Sequence, residues 1–181
     1  RSLEMKDEQL PLFRPDRIDS LCDAHGVRLL EVSRTPSMAE LRRLGDEQPA
    51  WIVCACFPFR LPTWLLDYPA CGCVNIHPSL LPTYRGPTPV FWQLRAGERT
   101  GGVTVHRMSG RLDSGDIVFQ SLVDIPIGVS MRELDQRLGM EGALLIWRLL
   151  EEGATASLPQ DERTASYHSW PGLCDFSIDT G

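Results

Sequence analysis

The 181-residue sequence predicts an α/β fold with an open, mostly parallel sheet. Continuous apolar runs such as Trp51–Phe57 are typical of strands that are covered on both faces. Ser-x-x-Glu capping boxes at Ser37–Glu40 and Ser130–Glu133 predict two helix starts. Strands and helices alternate along the chain, which favours parallel strands joined by crossover helices.

Each predicted helix has a start or stop signal beside apolar residues at helical spacing. Pro15 opens the first and Gly26 stops it, whereas Gly153 ends the last. The predicted helices and helical turn are Pro15 to Gly26, Met38 to Gly45, Pro62 to Leu66, Val90 to Ala96 and Met131 to Glu152.

Apolar or alternating runs between these helices predict the strands. They are Val27–Val32, Trp51–Phe57, Cys71–Ile76, Gly102–Met108 and Ile117–Ile125. A proline-rich loop follows at His77–Pro89, and Ser109–Asp116 predicts a turn between the last two strands. We expect one catalytic domain over residues 1–181, incomplete at its N-terminus, with residues 159–181 as an extended tail.

The composition is that of an ordinary globular protein, with 43% apolar and 23% charged residues. A net charge of −6 gives no general attraction to nucleic acid. No apolar run reaches the roughly 20 residues of a membrane helix, and Arg1 to Gln9 does not look like a secretory signal. We therefore expect a cytoplasmic protein without membrane contact, whose six cysteines are mainly small buried side chains rather than metal ligands.

Candidate catalytic residues lie at the end of the strand before the proline-rich loop. Asn75 and His77 are two residues apart, so an extended backbone projects both to the same side. The carboxyl ends of strands are where open α/β sheets bind ligands. An amide donor beside an imidazole suits acyl transfer, in which an oxyanion forms and a proton moves. By itself such a pair is more often structural than catalytic.

Asp113 supplies a carboxylate in the turn Leu112–Ile117. If this turn folds over the strand end, Asp113 can orient or charge His77. The alternative is that Asp113 and Gly115 only form the turn. Spacing alone does not decide between the two. His106 is expected to be structural, and Arg85 either binds an anionic substrate group or holds the loop.

The run NIHPSLLPTYRG from Asn75 to Gly86, continued by PTPVFW, resembles the first signature of the folate-dependent formyltransferases. GGVTVHRMSGRLDSGDIV, from Gly101 to Val118, resembles the second. This family includes methionyl-tRNA and glycinamide ribonucleotide formyltransferases. The resemblance covers about Val27 to Glu152 and implies the family's variant of the Rossmann fold.

The resemblance implies that Asn75, His77 and Asp113 are catalytic and that 10-formyltetrahydrofolate, without a metal, donates the formyl group. In the implied reaction, protonated His77 is held in its charged form by Asp113 and stabilises the oxyanion together with Asn75. The implied folate-binding residues are Phe59, Arg60, Leu61, Arg111, Leu112, Ser114, Gly115 and Asp116. Ser79 and Arg85 are candidates for substrate binding.

The sequence departs from the family pattern at both ends. The family's first strand-helix-strand portion is missing before the first matched residues. An omitted segment, a truncated fold, a homo-oligomer or a partner chain could account for the sheet edge that this would expose. A tRNA acceptor is disfavoured, because the family's tRNA-binding barrel is also missing and the net charge is −6.

We expect formyl transfer to a primary amine of a small metabolite, such as a sugar nucleotide, an amino acid or a peptide-like compound. The alternatives are a 10-formyltetrahydrofolate hydrolase, in which water replaces the amine, and an inactive folate-binding module.

Overall fold

The computed structural model describes residues 15–32, 36–43, 45, 47–57, 59–153 and 156–176. The chain divides into two compact units, Arg1–Glu47 and Gln48–Gly181. All of the candidate site residues belong to the second unit, so the first is described only briefly.

The first unit contains two helices, α1 (Pro15–Ala24) and α2 (Met38–Arg42). Gly26 takes a φ of +64° just after α1, as expected of a glycine that ends a helix. The predicted capping box is confirmed, since the Ser37 side chain accepts the Glu40 N–H and the Glu40 carboxylate accepts the Ser37 N–H. The predicted starts of these two helices, at Pro15 and at Met38, are both correct.

The predicted strand Val27–Val32 is wrong, because these residues are in no regular element. A strand needs a neighbouring strand with which to exchange backbone hydrogen bonds, and no ladder among the described residues includes this segment. Most of its apolar side chains are exposed, with Val27 at 56% and Leu29 at 57%.

The second unit is built on a sheet of four strands in the order β1-β2-β3-β4. The strands are β1 (Trp51–Ala55), β2 (Gly72–His77), β3 (Thr100–Arg107) and β4 (Ile117–Asp124). The helices are α3 (Thr63–Leu66), α4 (Pro89–Ala96) and α5 (Met131–Glu152). The predicted open α/β sheet is confirmed.

The pairing is mixed rather than mostly parallel. β1 and β2 run parallel, whereas β2–β3 and β3–β4 are antiparallel. The turn after β3 joins adjacent strand ends and so forces the next strand to run back. Between β2 and β3 the chain travels along the sheet through the proline-rich loop and α4 before it returns. Among the described residues, β1 is an edge strand.

The core of this unit lies between α5 and the sheet. Leu134, Leu138, Leu145 and Leu149 recur along one face of α5 and are at most 9% exposed. They pack with Val103 and Val105 of β3, which have no exposed surface. Gly142 lies where a Cβ would be 2.6 Å from the Ile76 side chain, so the helix approaches the sheet closely at this position.

The cysteines only partly follow the prediction. Cys54 and Cys73 are buried, and burial raises the pKa of both thiols to about 11, so they stay protonated. Cys56 is exposed, contrary to the prediction that the cysteines are mainly buried. Its φ of +55° ends the strand, and Cys71 is exposed as well.

The proline-rich loop between β2 and α4 is held from inside by side chains. Thr104 of β3 donates its hydroxyl to the Ser79 carbonyl at 2.7 Å and accepts the Leu81 N–H at 3.1 Å. The Ser79 hydroxyl donates to the Thr83 carbonyl at 2.7 Å. These bonds fix the path of the loop beside the end of β2.

The segment after α5 crosses the unit as a strap, defined here as residues 158–170. It begins at a backbone bridge between Leu158 and Ile117 and forms another between Tyr167 and Arg85. Arg85 is 5% exposed, and its guanidinium donates to the Gln160 and Glu162 side chains at 2.8–3.1 Å. The strap is thereby attached to the proline-rich loop.

None of the described helices combines the length and apolar character needed to cross a membrane.

The packing of α5 predicts a contrast between two leucines of the same helix. Leu138→Ala should lower the free energy of unfolding by about 2–5 kcal/mol, because it leaves a cavity at a side chain that is 1% exposed. Leu144→Ala, at a side chain that is 58% exposed, should change it by less than about 0.5 kcal/mol. Urea denaturation of the two variants measures the difference, and equal losses would contradict this packing.

Candidate active site

Asn75 and His77 lie at the carboxyl end of β2, with their side chains on the same side of the strand. Asn75 is half-buried and His77 is 4% exposed. β3 places His106 directly opposite Asn75 and Thr104 opposite His77. The two predicted site residues therefore lie on the regular backbone of β2. The proline-rich loop that follows them is held in place by the side chains of Thr104 and Ser79.

Asp113 reaches the same place from the turn between β3 and β4. One oxygen of its carboxylate accepts the Gly86 N–H at 2.9 Å. Its backbone has a φ of +51°, which is uncommon for a residue with a side chain. Gln160 of the strap donates to the carbonyls of Asp113 and Gly115 at 2.8 and 2.7 Å, and so holds the turn in this conformation.

Gly115 allows the turn to fold so closely onto β3. A Cβ at this position would lie 1.9 Å from the Arg107 carbonyl oxygen, a distance at which backbone atoms overlap. The Asp113 and Gly115 of the motif thus form the turn and also bring the carboxylate to the strand end.

The predicted approach of Asp113 to His77 is present. Asp113 Oδ1 lies 3.7 Å from His77 Nδ1, too far for a direct hydrogen bond but close enough to attract the imidazole once it is protonated. His77 Nε2 is 2.9 Å from the Tyr84 carbonyl, which can only accept. The Nε2–H therefore donates to Tyr84, and in the neutral imidazole Nδ1 is the free basic nitrogen that faces Asp113.

His106 also belongs to the site, although the sequence favoured a structural role for it. Its Nδ1 is 2.8 Å from the Arg107 carbonyl and must donate, so Nε2 is the acceptor in the neutral ring. This Nε2 is 3.2 Å from Asn75 Nδ2 and 3.7 Å from Asp113 Oδ1. The amide of Asn75 must then turn its NH₂ group, not its oxygen, toward His106.

Strand register is the signal that places His106 in the site. Its position opposite Asn75 depends on the β2–β3 pairing, which no spacing within one segment reveals.

Burial controls the protonation of both imidazoles. It lowers the pKa of His77, and the opposing attraction of Asp113 is smaller. Burial likewise lowers the pKa of His106, to about 4, with the nearby His77 adding to the effect. Both rings are neutral near pH 7. The expectation that Asp113 keeps the resting His77 charged therefore needs correction.

Two cavities meet at Asn75 and Asp113. The first, of about 260 Å³, is called here the arginine cavity because Arg60 and Arg111 line it. Of the residues predicted to bind folate, those lining this cavity are Phe59, Arg60, Leu61, Arg111 and Leu112. Its remaining apolar wall includes Leu66 and Met108.

The other three residues predicted to bind folate are Ser114, Gly115 and Asp116, which form contacts within the turn. The Ser114 hydroxyl donates to the Arg111 carbonyl at 3.2 Å, and Gly115 packs against Arg107. The Asp116 carbonyl accepts the Arg107 N–H at 2.8 Å. None of the three lines the arginine cavity.

The second cavity, of about 430 Å³, is called here the strap cavity because Tyr167, Ser169 and Trp170 form one wall. Its base is His77, Asn75 and Asp113, and the remaining wall is apolar or backbone. No lysine or arginine is among its described lining residues, which are Cys56, Phe57, Asn75, Ile76, His77, Pro78, Gly86, Pro87, Pro89, Leu112, Asp113, Tyr167, Ser169 and Trp170.

The two predicted substrate-binding residues lie elsewhere. Ser79 has no exposed surface, and the Arg85 guanidinium is occupied by Gln160 and Glu162. Neither residue lines the arginine cavity or the strap cavity. Of the two roles open to Arg85, the structure shows the one that holds the loop.

The two cavities share the Asn75 amide and the Asp113 carboxylate, and each adds one imidazole, His106 in the arginine cavity and His77 in the strap cavity. Such a set of groups between two cavities suits group transfer of the acyl-transfer type. The family model described as formyl transferase matches residues 22–149, which is more than half of the chain. The chain belongs to the formyl transferase family.

Relatives with known names agree with this assignment. A methionyl-tRNA formyltransferase of Halalkalibacterium halodurans is 35% identical over 159 residues, covering 86% of this chain and 50% of the relative. That of Syntrophus aciditrophicus is 43% identical over 147 residues, covering 80% and 47%. The chain thus spans about half the length of the relatives it matches.

Solved structures share the fold. An N-formyltransferase from Helicobacter canadensis, in complex with folinic acid and dTDP-3-aminofucose, is 26% identical with a TM-score of 0.51, covering 54% of this chain and 37% of that one. The formyltransferase PseJ from Anoxybacillus kamchatkensis is 20% identical with a TM-score of 0.66, covering 87% and 82%.

The lowered pKa of His106 predicts how stability depends on pH. Below pH 6.5 the unfolded chain takes up a proton at His106, whereas the folded chain does so only near pH 4. This contribution to stability is complete above pH 6.5 and is lost as the pH falls. As the pH is lowered from about 7 to about 5, the free energy of unfolding of the wild type should fall because of His106. In His106→Gln this fall should be smaller by about 2 kcal/mol.

Urea denaturation at several pH values measures this difference. His25→Gln, which removes an exposed histidine of the first unit, is measured alongside as the control. Identical pH profiles for the wild type and His106→Gln would show that burial does not suppress protonation of His106.

Proposed function

We propose that this chain carries the active site of an N-formyltransferase that moves a formyl group from 10-formyltetrahydrofolate to a primary amine of a small molecule. One observation supports this most directly: two cavities of different charge meet at Asn75 and Asp113. A transfer reaction needs such an arrangement, in which donor and acceptor reach one set of catalytic groups from separate sides.

The arginine cavity suits the donor. A pterin is flat and needs apolar walls, which Phe59, Leu61 and Met108 provide. Folates end in a glutamate whose carboxylates carry negative charge, and the exposed cations Arg60 and Arg111 stand at this cavity. Folinic acid in the Helicobacter canadensis enzyme and tetrahydrofolate in PseJ are ligands of the same class.

Asn75 is placed to stabilise the developing oxyanion. The amine nitrogen attacks the formyl carbon on N10, and the carbonyl oxygen becomes negative as a tetrahedral centre forms. One N–H of the Asn75 amide points to His106, which leaves the other free to donate to that oxygen. His106 acts as a positioning residue, because it fixes which end of the amide faces the site.

His77 is placed to move the proton. A neutral His77 with a free Nδ1 can take a proton from the attacking amine, and the resulting imidazolium is stabilised by Asp113 at 3.7 Å. The proton then passes to N10 as the bond between N10 and the formyl carbon breaks. The products are the N-formyl amine and tetrahydrofolate, so every atom of both substrates is accounted for.

Methionyl-tRNA is a second candidate acceptor, because the 35% and 43% identical relatives carry that activity in their names. The net charge of −6 favours a small molecule, since binding to a nucleic-acid backbone depends on cations. Hydrolysis of the donor remains the alternative in which water takes the place of the amine. Product analysis separates all three, as formylated small amine, formylated methionyl-tRNA, or formate released without an amine.

Replacement of the proposed base should abolish most of the activity without affecting donor binding. His77→Ala should lower kcat for formyl transfer by at least about 100-fold, as expected when a general base is lost. Asp113→Asn should lower it comparably, because the neutral amide still accepts the Gly86 N–H but no longer stabilises an imidazolium. Tetrahydrofolate binding, measured by calorimetry, should stay within about twofold of the wild type.

Asp124→Asn is the matched control for charge removal, since Asp124 is an exposed carboxylate at the end of β4. It should keep wild-type kcat. Near-normal formyl transfer by His77→Ala or Asp113→Asn would refute the proposed mechanism, and failure of the wild type to bind tetrahydrofolate would refute the proposed function.

A further inference from the structure

The strap forms a wall of the strap cavity, which is left for the acceptor once the arginine cavity takes the donor. Tyr167, Ser169 and Trp170 line the strap cavity opposite the groups of β2. This places the YHSW segment, residues 167–170, next to Asn75, His77 and Asp113, although more than 50 residues separate it from them along the chain. The strap thus bounds the space in which an acceptor must sit.

The strap is fixed in place by the proline-rich loop. The Tyr84 N–H donates to the Ser166 hydroxyl at 2.8 Å, and the Arg85 N–H donates to the Ser166 carbonyl at 2.9 Å. The His168 N–H donates in return to the Arg85 carbonyl at 2.8 Å. Gly86 allows this contact, since a Cβ there would lie 1.9 Å from the His168 carbonyl oxygen.

Aromatic stacking anchors the same segment from its other side. The His168 ring stacks on Tyr84 at 5.3 Å between centroids and lies 5.0 Å from Trp92. The indole N–H of Trp92 donates to the Ser169 carbonyl at 3.0 Å. His168 thus points away from the strap cavity, into a groove that shares no lining residue with it, while its neighbours point into the cavity.

The two aromatic rings of this wall are open to a ligand. Tyr167 is 58% exposed and Trp170 is 64% exposed, although both belong to a fixed segment. Neither ring stacks on another aromatic ring among the described residues. Rigid aromatic surfaces of this kind bind flat or apolar groups with little loss of conformational entropy.

The charge of the strap cavity excludes one class of acceptor. Asp113 is the sole charged group among its described lining residues, in contrast to the arginines of the other cavity. A carboxylate or phosphate next to the reacting amine would therefore meet the negative charge of Asp113 and no cation among the described lining residues. The prolines and Phe57 of the remaining wall offer apolar contact instead.

We propose that the strap selects the acceptor, and that the acceptor is a primary amine carried on an uncharged, flat group that packs against Tyr167 and Trp170. This inference rests on the proposed function, since it assigns the strap cavity to the acceptor. Tyr167 and Trp170 determine specificity and take no part in the proton transfer.

Probe amines of matched size test this selection. Benzylamine, cyclohexylmethylamine and 4-(aminomethyl)benzoate are titrated by calorimetry into the full chain saturated with tetrahydrofolate. All three carry the same aminomethyl group, so differences in Kd report on the remainder of the molecule. Benzylamine should bind most tightly, and 4-(aminomethyl)benzoate should bind at least about tenfold more weakly because its carboxylate has no cation to meet.

The variant Trp170→Ala should raise the Kd of benzylamine about tenfold, the loss typical of a buried stacking contact, and Trp170→Phe should restore most of it. Trp147→Ala is the matched control, because Trp147 is 63% exposed on α5 and lines neither cavity. Unfolding midpoints of the variants and their Kd for tetrahydrofolate are measured alongside.

The outcomes separate this inference from the function on which it rests. If tetrahydrofolate binds but benzylamine does not, or if 4-(aminomethyl)benzoate binds as tightly as benzylamine, the selection by the strap is refuted alone. The same holds if Trp170→Ala and Trp147→Ala behave alike. If tetrahydrofolate itself does not bind, the proposed function fails and this inference fails with it.

Discussion

The site depends on the contacts that the Asp113 carboxylate makes. One oxygen is held by the Gly86 N–H, and the other lies 3.7 Å from both His77 and His106. A carboxylate that is 14% exposed needs such partners, because burial of an unpaired charge is costly. Its position requires a left-handed backbone, a glycine two residues later and a glutamine from the strap that binds the turn. The proline-rich loop, β2, β3 and the strap thus all meet at this one residue.

Local patterns in the sequence predicted the parts of the fold that depend on local physics. The capping boxes at Ser37 and Ser130 are present, and Asn75 and His77 lie on one side of a strand end because extended backbone alternates its side chains. What the sequence could not predict depends on pairing between distant segments. The mixed sheet and the position of His106 both follow from the antiparallel pairing of β2 with β3, and Val27–Val32 has no pairing strand among the described residues.

The pKa of His77 could not be predicted from sequence either, because it depends on how deeply the fold buries the ring. An aspartate beside a histidine raises the pKa of the imidazole, and sequence alone shows only that pair. The fold adds burial, which removes water from His77 and lowers its pKa by more than Asp113 raises it. A neutral imidazole can accept a proton whereas a charged one cannot, so burial of His77 fits the role of base that the proposed mechanism gives it. The fold also changes the interpretation of Arg85. From sequence it is a candidate for binding an anion, but in the structure its guanidinium donates to Gln160 and Glu162 of the strap.

Tyr84 contacts both His77, through its carbonyl, and the strap, through its N–H. Its carbonyl fixes the tautomer of His77, its N–H holds Ser166, and its ring stacks on His168. Its own φ of +59° leaves little freedom to satisfy one of these contacts without the others. Under the proposed mechanism and the proposed role of the strap, altered strap sequences would shift the optimum pH of the reaction together with the choice of amine. Attempts to redesign the acceptor range of this scaffold should accordingly vary Tyr84 and the strap as one unit, with pH as a screened variable.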